Sequence, residues 1–199
     1  MAAFRADPAG KPLPTPSGKV QIYSPVVASF GYADCPGHPV WLPFVEQPSA
    51  EHPLHLVANQ PATKLHSQFD FGNHSMSAKR NGREVCSLHP DDAAARGIAE
   101  GDIVRLFNQR GACLASATLS PDVMPGVVQL PTGAWYDPLD AAAAAPTCVH
   151  GNPNVLTRDV GTSSLGQGCI GQLTVVQVER YDGDLPPIRA FEPPAAATV

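Results

Sequence analysis

Charge is scarce in this chain, and no long apolar run occurs. Asp, Glu, Lys and Arg make up 16% of its 199 residues, against about 25% in an ordinary globular protein. So low a charge density points to a surface that something else partly covers. The net charge is −5 and no Lys/Arg cluster stands out, so the cationic footprint of a nucleic-acid binder is missing. No apolar stretch approaches the roughly 20 residues that span a bilayer, and the N-terminal segment lacks the apolar core of a secretory signal. A soluble chain without membrane contact is expected, in the cytoplasm unless a leader precedes it. The five cysteines form no C-x-x-C pair, which excludes the common zinc spacings and a dense disulfide scaffold. Reduced, mostly buried thiols are expected instead. No repeat of fixed period is visible.

Proline is plentiful, and unevenly placed. Residues 1–53 hold ten of the 22 prolines together with Phe30, Tyr32, Trp41 and Phe44. This composition reads as an extended segment that sets aromatic anchors on a neighbouring surface rather than as a disordered linker. Its one strand-like run is Lys19–Ser24. A domain is expected over 54–181, and a Pro- and Ala-rich tail over 182–199 is expected to fray.

Within 54–181 the pattern predicts about six short strands. They are Leu54–Ala58, Arg83–Leu88, Ile103–Phe107, Ala112–Leu119, Val127–Leu130 and Gln172–Glu179, separated by turn residues. His89–Gly97 carries the clearest helix signal: Pro90 in the first turn, Asp91 and Asp92 at the positive end of the dipole, Gly97 as terminator. Asn108–Gly111 reads as a hairpin turn in which the glycine supplies a positive φ. Ala141–Ala145 reads as a short helix or a loop. Many short strands joined by turns, with one short helix, point to a mainly β protein and a small barrel.

The stretch that organises the rest is Cys148–Cys169, CVHGNPNVLTRDVGTSSLGQGC. Gly151, Gly161, Gly166 and Gly168 alternate there with amides and hydroxyls. Glycine lets backbone N–H groups approach a ligand closely, and such groups face anionic oxygens well. That suits a large, polar, phosphate-bearing ligand. The same residue types also build ordinary surface turns.

Five segments in order carry a resemblance: TPSGKVQIYS (15–24), NQPATKLHSQ (59–68), HPDDAAARGIAEGDIVRLFNQRG (89–111), PGVVQLPTGAWYDP (125–138) and HGNPNVLTRDVGTSSLGQGC (150–169). Together they resemble the C-terminal region of the dimethyl sulfoxide reductase family of molybdenum enzymes. The wording is nearest to the biotin sulfoxide and trimethylamine N-oxide reductases within it. The resemblance implies a six-stranded double-psi β-barrel preceded by the extended Pro-rich segment. It implies a molybdenum cofactor, bis(molybdopterin guanine dinucleotide), shared with further domains encoded upstream or in a separate subunit. By the same resemblance, one cofactor-lining cluster is Asn59, Gln60, Lys64, His66, Ser67 and Gln68. Asn108 is a second contact. The third cluster is His150, Gly151, Asn152, Asn154 and Thr157, followed by Ser163, Ser164 and Gln167. Amides match the flat donor and acceptor edges of pterin and guanine, and a pyrophosphate takes hydroxyls, N–H groups and a cation such as Lys64. Two positions depart from the pattern: Ser164 stands where many relatives carry a basic residue, and Lys64 where arginine is common. The metal-coordinating side chain of such enzymes, a serine, belongs to domains that no segment here matches.

Blander readings stand beside these. His66 also serves as a satisfied loop histidine, and His55, His66, His74 and His150 fit no zinc spacing. Cys148 with His150 lacks the third group a nucleophile–base pair needs, so a buried thiol is expected. Trp135 and Tyr136 suit either a substrate funnel or a plain core. Two functional classes follow. One is the dinucleotide-binding domain of an S- or N-oxide reductase, without catalytic residues of its own. The other is a non-catalytic barrel module that grips a pterin nucleotide or a protein partner.

Overall fold

Leu54 and Leu56, and Val104 and Leu106, alternate with more exposed neighbours, and all four side chains are buried. That is the period of two that a strand with one core face requires. In the computed structural model, which describes residues 1–168 and 170–193, the strands are β1 (Leu54–Val57), β2 (Val85–Leu88), β3 (Ile103–Asn108), β4 (Gly111–Leu119), β5 (Val127–Gln129), β6 (Thr147–Cys148) and β7 (Thr174–Arg180). Cys169, expected to be a reduced thiol, lies outside the described residues, as do residues 194–199 of the tail.

Six of these strands close on themselves. The order runs β2-β5-β1-β7-β3-β4, and β4 pairs back with β2. The parallel pairs are β1 with β5 and β2 with β4; the other pairings around the ring are antiparallel. Exchanging β1, β2, β3 for β4, β5, β7 reproduces the same set of neighbours and directions. The barrel is therefore two interlocked halves, the expected double-psi arrangement. The two-residue β6 lies parallel to β4 at Cys113–Cys148 and occupies the part of its edge that β2 leaves free.

The barrel interior is filled by Leu54, Leu56, Cys86, Leu88, Val104, Leu106, Val128, Val176 and Val178, opposite the small residues Cys113, Ala115 and Ala117 of β4. Large residues facing small ones let a narrow barrel pack without voids. Burial of each leucine contributes about 1.5–3 kcal/mol. Cys86, Cys113 and Cys148 are free thiols in this core, and burial pushes the Cys86 and Cys113 thiols well above the ordinary range.

The remaining elements are short. Helices α1 (Ala2–Ala6) and α2 (Pro25–Ser29) lie in the N-terminal segment, and α3 (Asn73–Ala78) and α4 (Pro90–Ala94) in the barrel connections. The helix at α4 forms as its sequence predicts, with Asp91 and Asp92 in its first turn and His89 Nδ1 accepting from the Asp91 N–H. Lys19–Ser24 is not a strand. Ser24 instead caps α2, its hydroxyl accepting from the Val27 N–H, while its own N–H donates to the Gly37 carbonyl. Ala141–Ala145 forms turns, with no helix.

Two compact units divide the chain: Met1–Pro43 with Gly161–Gly168, and Phe44–Val160 with the described residues from 170 on. The barrel and its connections belong to the second. The first has no apolar core of its own: Gly37 is its one buried residue, and Ile22, Val26 and Trp41 are exposed, Trp41 by 83%.

The β3–β4 hairpin turns as predicted, with Asn108 opposite Gly111, but for a different reason. Gly111 does not take the left-handed conformation. A Cβ there would sit 2.7 Å from the Pro146 carbonyl oxygen and 2.9 Å from that of Val155. Close backbone approach, and not φ, demands the glycine. Gly111→Ala is expected to cost about 1–3 kcal/mol through this overpacking. Urea unfolding checks it, and an unchanged midpoint would show that the neighbouring backbone yields.

Candidate functional site

Because β1 and β5 run parallel and β2 antiparallel to β5, the loops that follow β1 and β5 and the approach to β2 lie at one end of the barrel. The loop after β1 begins at Asn59, where Pro61 prevents the ladder from continuing. It turns through left-handed residues His66 (φ 52°) and Phe69 (φ 54°). The loop after β5 carries Gly133 (φ +94°), where a Cβ would fall 1.8 Å from the His66 carbonyl oxygen. After β6 comes Gly151 (φ +90°), where a Cβ would lie 2.7 Å from Glu84 Cβ. Both glycines are needed twice over, for conformation and for space. They let three loops touch.

Beneath these loops lies a closed ring of four charges. Lys64 Nζ and Lys79 Nζ each donate to Asp70 Oδ1, at 3.0 and 2.8 Å, and both also pair with Glu84 Oε1. The four side chains are 9% exposed or less. The second oxygen of Asp70 accepts from the Trp135 N–H at 3.0 Å. Trp135 Nε1 in turn donates to the Ser67 carbonyl at 2.8 Å. His150 completes the group, fully buried, its Nδ1 3.1 Å from the Trp135 carbonyl and 3.7 Å from Asp70 Oδ2. A carbonyl only accepts, so Nδ1 carries the proton and Nε2 is a bare acceptor. Nε2 is buried without a hydrogen-bond partner among the described residues, as is Asn59 Oδ1.

Electrostatics follow from burial and pairing. Burial lowers the His150 pKa, and the Lys79 charge adds to this; the Trp135 carbonyl and Asp70 oppose it, and the net shift is down. For Asp70, burial pushes upward but hydrogen bonds from Lys79, the Trp135 backbone and Lys64 outweigh it, so its carboxyl stays below the usual range. For Lys64, burial pulls down, and Glu84 and Asp70 together reverse this, leaving the ammonium above its usual value. Removing one member of such a buried set costs about 3–5 kcal/mol, because an uncompensated charge remains.

The first sequence-predicted cluster is thus split by exposure. Gln60, His66, Ser67 and Gln68 are exposed and Asn59 is half-buried, but the Lys64 ammonium is enclosed and already neutralised. Gln60 Nε2 donates to the Lys64 carbonyl and Asn59 Nδ2 to the Gln60 carbonyl, which stiffens the loop. Asn59 also lines a pocket of about 210 Å³ with Pro61, Thr63, Glu84 and Gln129. Asn108 is buried: its amide donates to the Leu156 and Val175 carbonyls at 2.9 and 3.1 Å and accepts from the Arg110 N–H. Arg110 reinforces it, donating from Nε to Leu156 O at 2.7 Å and pairing bidentately with Glu46.

In the third cluster, His150, Gly151 and Asn152 are buried and Asn154 is exposed. Asn152 caps a 3₁₀ turn, accepting from the Asn154 N–H, and the Thr157 hydroxyl donates to the Asn154 carbonyl. His150 meets the loop after β1 at Asp70 and the loop after β5 at Trp135, while Gly151 packs on Glu84. Ser163, Ser164 and Gln167 belong to the other unit. There the Ser164 N–H and hydroxyl both donate to Asp34 Oδ2, at 2.8 and 3.2 Å. An anionic oxygen thus sits on this glycine-rich turn, in the form of the chain's own carboxylate.

Sequence reasoning missed Asp70, Lys79, Glu84 and the backbone of Trp135. No motif joins them, and only the fold brings them together. The tail, expected to fray, reaches this cluster too. Pro186 O accepts from Arg83, Asp137 accepts from the Arg189 and Ala190 N–H groups, and the Phe191 ring lies 4.9 Å from that of His150.

Residues 54–172 match a family described as the "Molydopterin dinucleotide binding domain". The chain belongs to that family. Similar proteins include a dimethyl sulfoxide/trimethylamine N-oxide reductase of Rhodobacter capsulatus, 44% identical over 98% of this chain and 24% of that protein. A biotin sulfoxide reductase of Cereibacter sphaeroides is 47% identical over 92% of this chain and 25% of its own. A trimethylamine-N-oxide reductase of Haemophilus influenzae is 44% identical over 96% and 24%. The chain therefore spans about a quarter of the length of the curated relatives it matches. Among solved structures, acetylene hydratase from Pelobacter acetylenicus superposes with a TM-score of 0.64 at 18% identity, over 88% of this chain and 25% of that one. At that identity the likeness concerns the fold.

Three shifts set a pH window for stability. His150, lowered from 6.5, and Asp70, lowered from 3.8, contribute fully above those values and lose the contribution as pH falls through the folded pKa of each. Lys64, raised from 10.5, contributes fully below that value and loses it as pH rises through its folded pKa. The urea midpoint is expected to be flat between about pH 6.5 and 10 and to fall on both sides. His150→Gln should abolish the decline that starts just below 6.5 and leave the steeper acid loss. A midpoint that rises on acidification from pH 7 would refute the neutral, buried His150.

Proposed function

We propose that this barrel holds a molybdopterin guanine dinucleotide for an oxidoreductase that removes oxygen from an S- or N-oxide. The observation that carries this reading is the meeting of the loops after β1 and β6, each with a buried acceptor that lacks a donor: Asn59 Oδ1 and His150 Nε2. Pterin and guanine edges present the N–H donors such atoms require. The exposed amides and hydroxyls of Gln60, Ser67, Gln68 and Asn154 add matching donors and acceptors, with His66, Asn152 and Thr157 beside them. The residues present fit the group.

Each part of the chain then has a task. Asn59, Gln60, His66, Ser67 and Gln68 bind one face of the dinucleotide, and Asn154 and Thr157 bind where the second loop begins its 3₁₀ turn. Asn108 and Arg110 hold Leu156, and through it that turn, in place. His150 keeps its proton on Nδ1 and offers Nε2 as acceptor. With Lys64 enclosed, the pyrophosphate is left to backbone N–H groups and hydroxyls of the barrel loops. When bound, the molybdenum cofactor supplies the two-electron chemistry of oxygen-atom removal. The relatives named above are reductases of biotin sulfoxide, dimethyl sulfoxide and trimethylamine N-oxide. Their fourfold greater length supports a set of further domains, in the same polypeptide or a separate subunit, that supply the metal ligand and most of the substrate funnel.

The test is Asn154→Ala with Thr157→Ala in the complete enzyme. Two lost hydrogen bonds of about 1 kcal/mol each correspond to roughly thirtyfold weaker cofactor retention. Guanine nucleotide released on denaturation, measured against protein, should fall while the barrel's melting transition holds. Full guanine and molybdenum content in that variant would remove the second loop from the site.

A further inference from the structure

Buried ion pairs rarely stabilise a fold more than apolar residues of the same size would; they are directional, and they penalise every arrangement in which one partner is left over. The ring of Lys64, Asp70, Lys79 and Glu84 joins four separate places in the chain. Lys64 and Asp70 are the two ends of the loop that carries His66, Ser67 and Gln68. Lys79 is the C-cap of α3. Glu84 precedes β2, its carbonyl accepting from the Ser116 N–H of β4 at 2.9 Å and its N–H donating to the His150 carbonyl at 3.4 Å. The ring reaches further through Asp70 Oδ2, which holds the Trp135 N–H, and through Trp135, which holds both Ser67 O and His150 Nδ1. Each of the two lysines contacts both carboxylates, and no charge is left over.

We propose that Asp70, Lys79 and Glu84 are positioning residues, which with Lys64 set the register of the loops around His66 and His150 and so preorganise the grip on a guanine–pterin dinucleotide. This rests on the function proposed above. Neither acid nor Lys79 touches the ligand. They act by fixing where the exposed amides and the bare Nε2 of His150 stand before the ligand arrives. Lys64 belongs with them: its ammonium serves the ring, and its backbone carries the loop. Glu84 is the pivot. Its side chain closes the ring, its backbone pairs with β4 and the His150 loop, and Gly151 packs on its Cβ.

The experiment compares the full chain with Asp70→Asn and with the charge-balanced pair Asp70→Asn/Lys79→Gln. It follows backbone amide hydrogen exchange and binding of guanosine diphosphate as a probe. In Asp70→Asn, exchange in residues 60–69, 133–135 and 149–152 should rise by about tenfold or more, while β3, β4 and β7 keep their protection. The balanced pair leaves no stranded charge, so its unfolding midpoint should return toward wild type. Its loops should nevertheless still exchange fast, with nucleotide binding weakened by about tenfold. Two results would overturn the proposal: loosening of β3, β4 and β7 equal to that of the loops, or recovery of loop protection together with stability in the balanced pair. A wild-type chain that does not bind the probe would count against the dinucleotide reading, and the exchange pattern alone would then decide for or against the ring.

Discussion

The parallel pairing of β2 with β4 closes the barrel, and what lies at its end depends on that closure. Four residue pairs, Val85–Ser116 to Leu88–Leu119, make the seam. The pairing sets Glu84 against the middle of β4, where its carbonyl accepts from the Ser116 N–H, beside the place where β6 delivers His150. An open sheet of the same strands would have no reason to bring the loop after β1, the loop after β5 and the loop after β6 to one spot. A closed ring does: parallel β1 and β5 send their following loops out of one end, and β2 enters from that end. Strand β6, paired with the first residues of β4, stops short of β2 and leaves His150 beside Glu84. The small residues of β4 are part of the same constraint, since the narrow ring leaves no volume for larger ones.

Burying four charges and a histidine under these loops is expensive in a low dielectric medium, and the arrangement offsets this by completeness. Each ammonium has two carboxylate partners, Asp70 has a backbone donor as well, and His150 is neutral. Among the described residues, the buried acceptors at this end without a donor are Asn59 Oδ1 and His150 Nε2. In a well-packed molecule such atoms call for a partner from outside it.

Much of the barrel could be read from residues alone. Period-two alternation marked β1 and β3, and proline, paired aspartates and a terminal glycine marked α4. The run Lys19–Ser24 misled because local propensity says nothing about a missing partner strand; Ser24 found a better use for its hydroxyl in capping α2. Gly111 was assigned to the right turn for the wrong cause, since the crowding by Pro146 and Val155 comes from segments more than 30 residues away. At the site, the two loops were recognisable by their amides and glycines, but the ring was not. Lys64 looked like a free cation, as any lysine does in one dimension, and its partners Asp70, Lys79 and Glu84 sit 6 to 20 positions on with no motif between them. The glycine-rich stretch also looked like one element, whereas its halves fall in different compact units.

That division has an optical consequence. The chain has two tryptophans, and each unit holds one. Trp41 is 83% exposed, whereas Trp135 is flanked by the rings of Phe71 and Phe191 at 5.4 and 5.5 Å. Emission from Trp41 lies to the red and is open to collisional quenchers, while half-buried Trp135, with rings on two sides, emits further to the blue and is less accessible. The native fluorescence of this polypeptide therefore separates into two colours, one for each unit, with no dye attached.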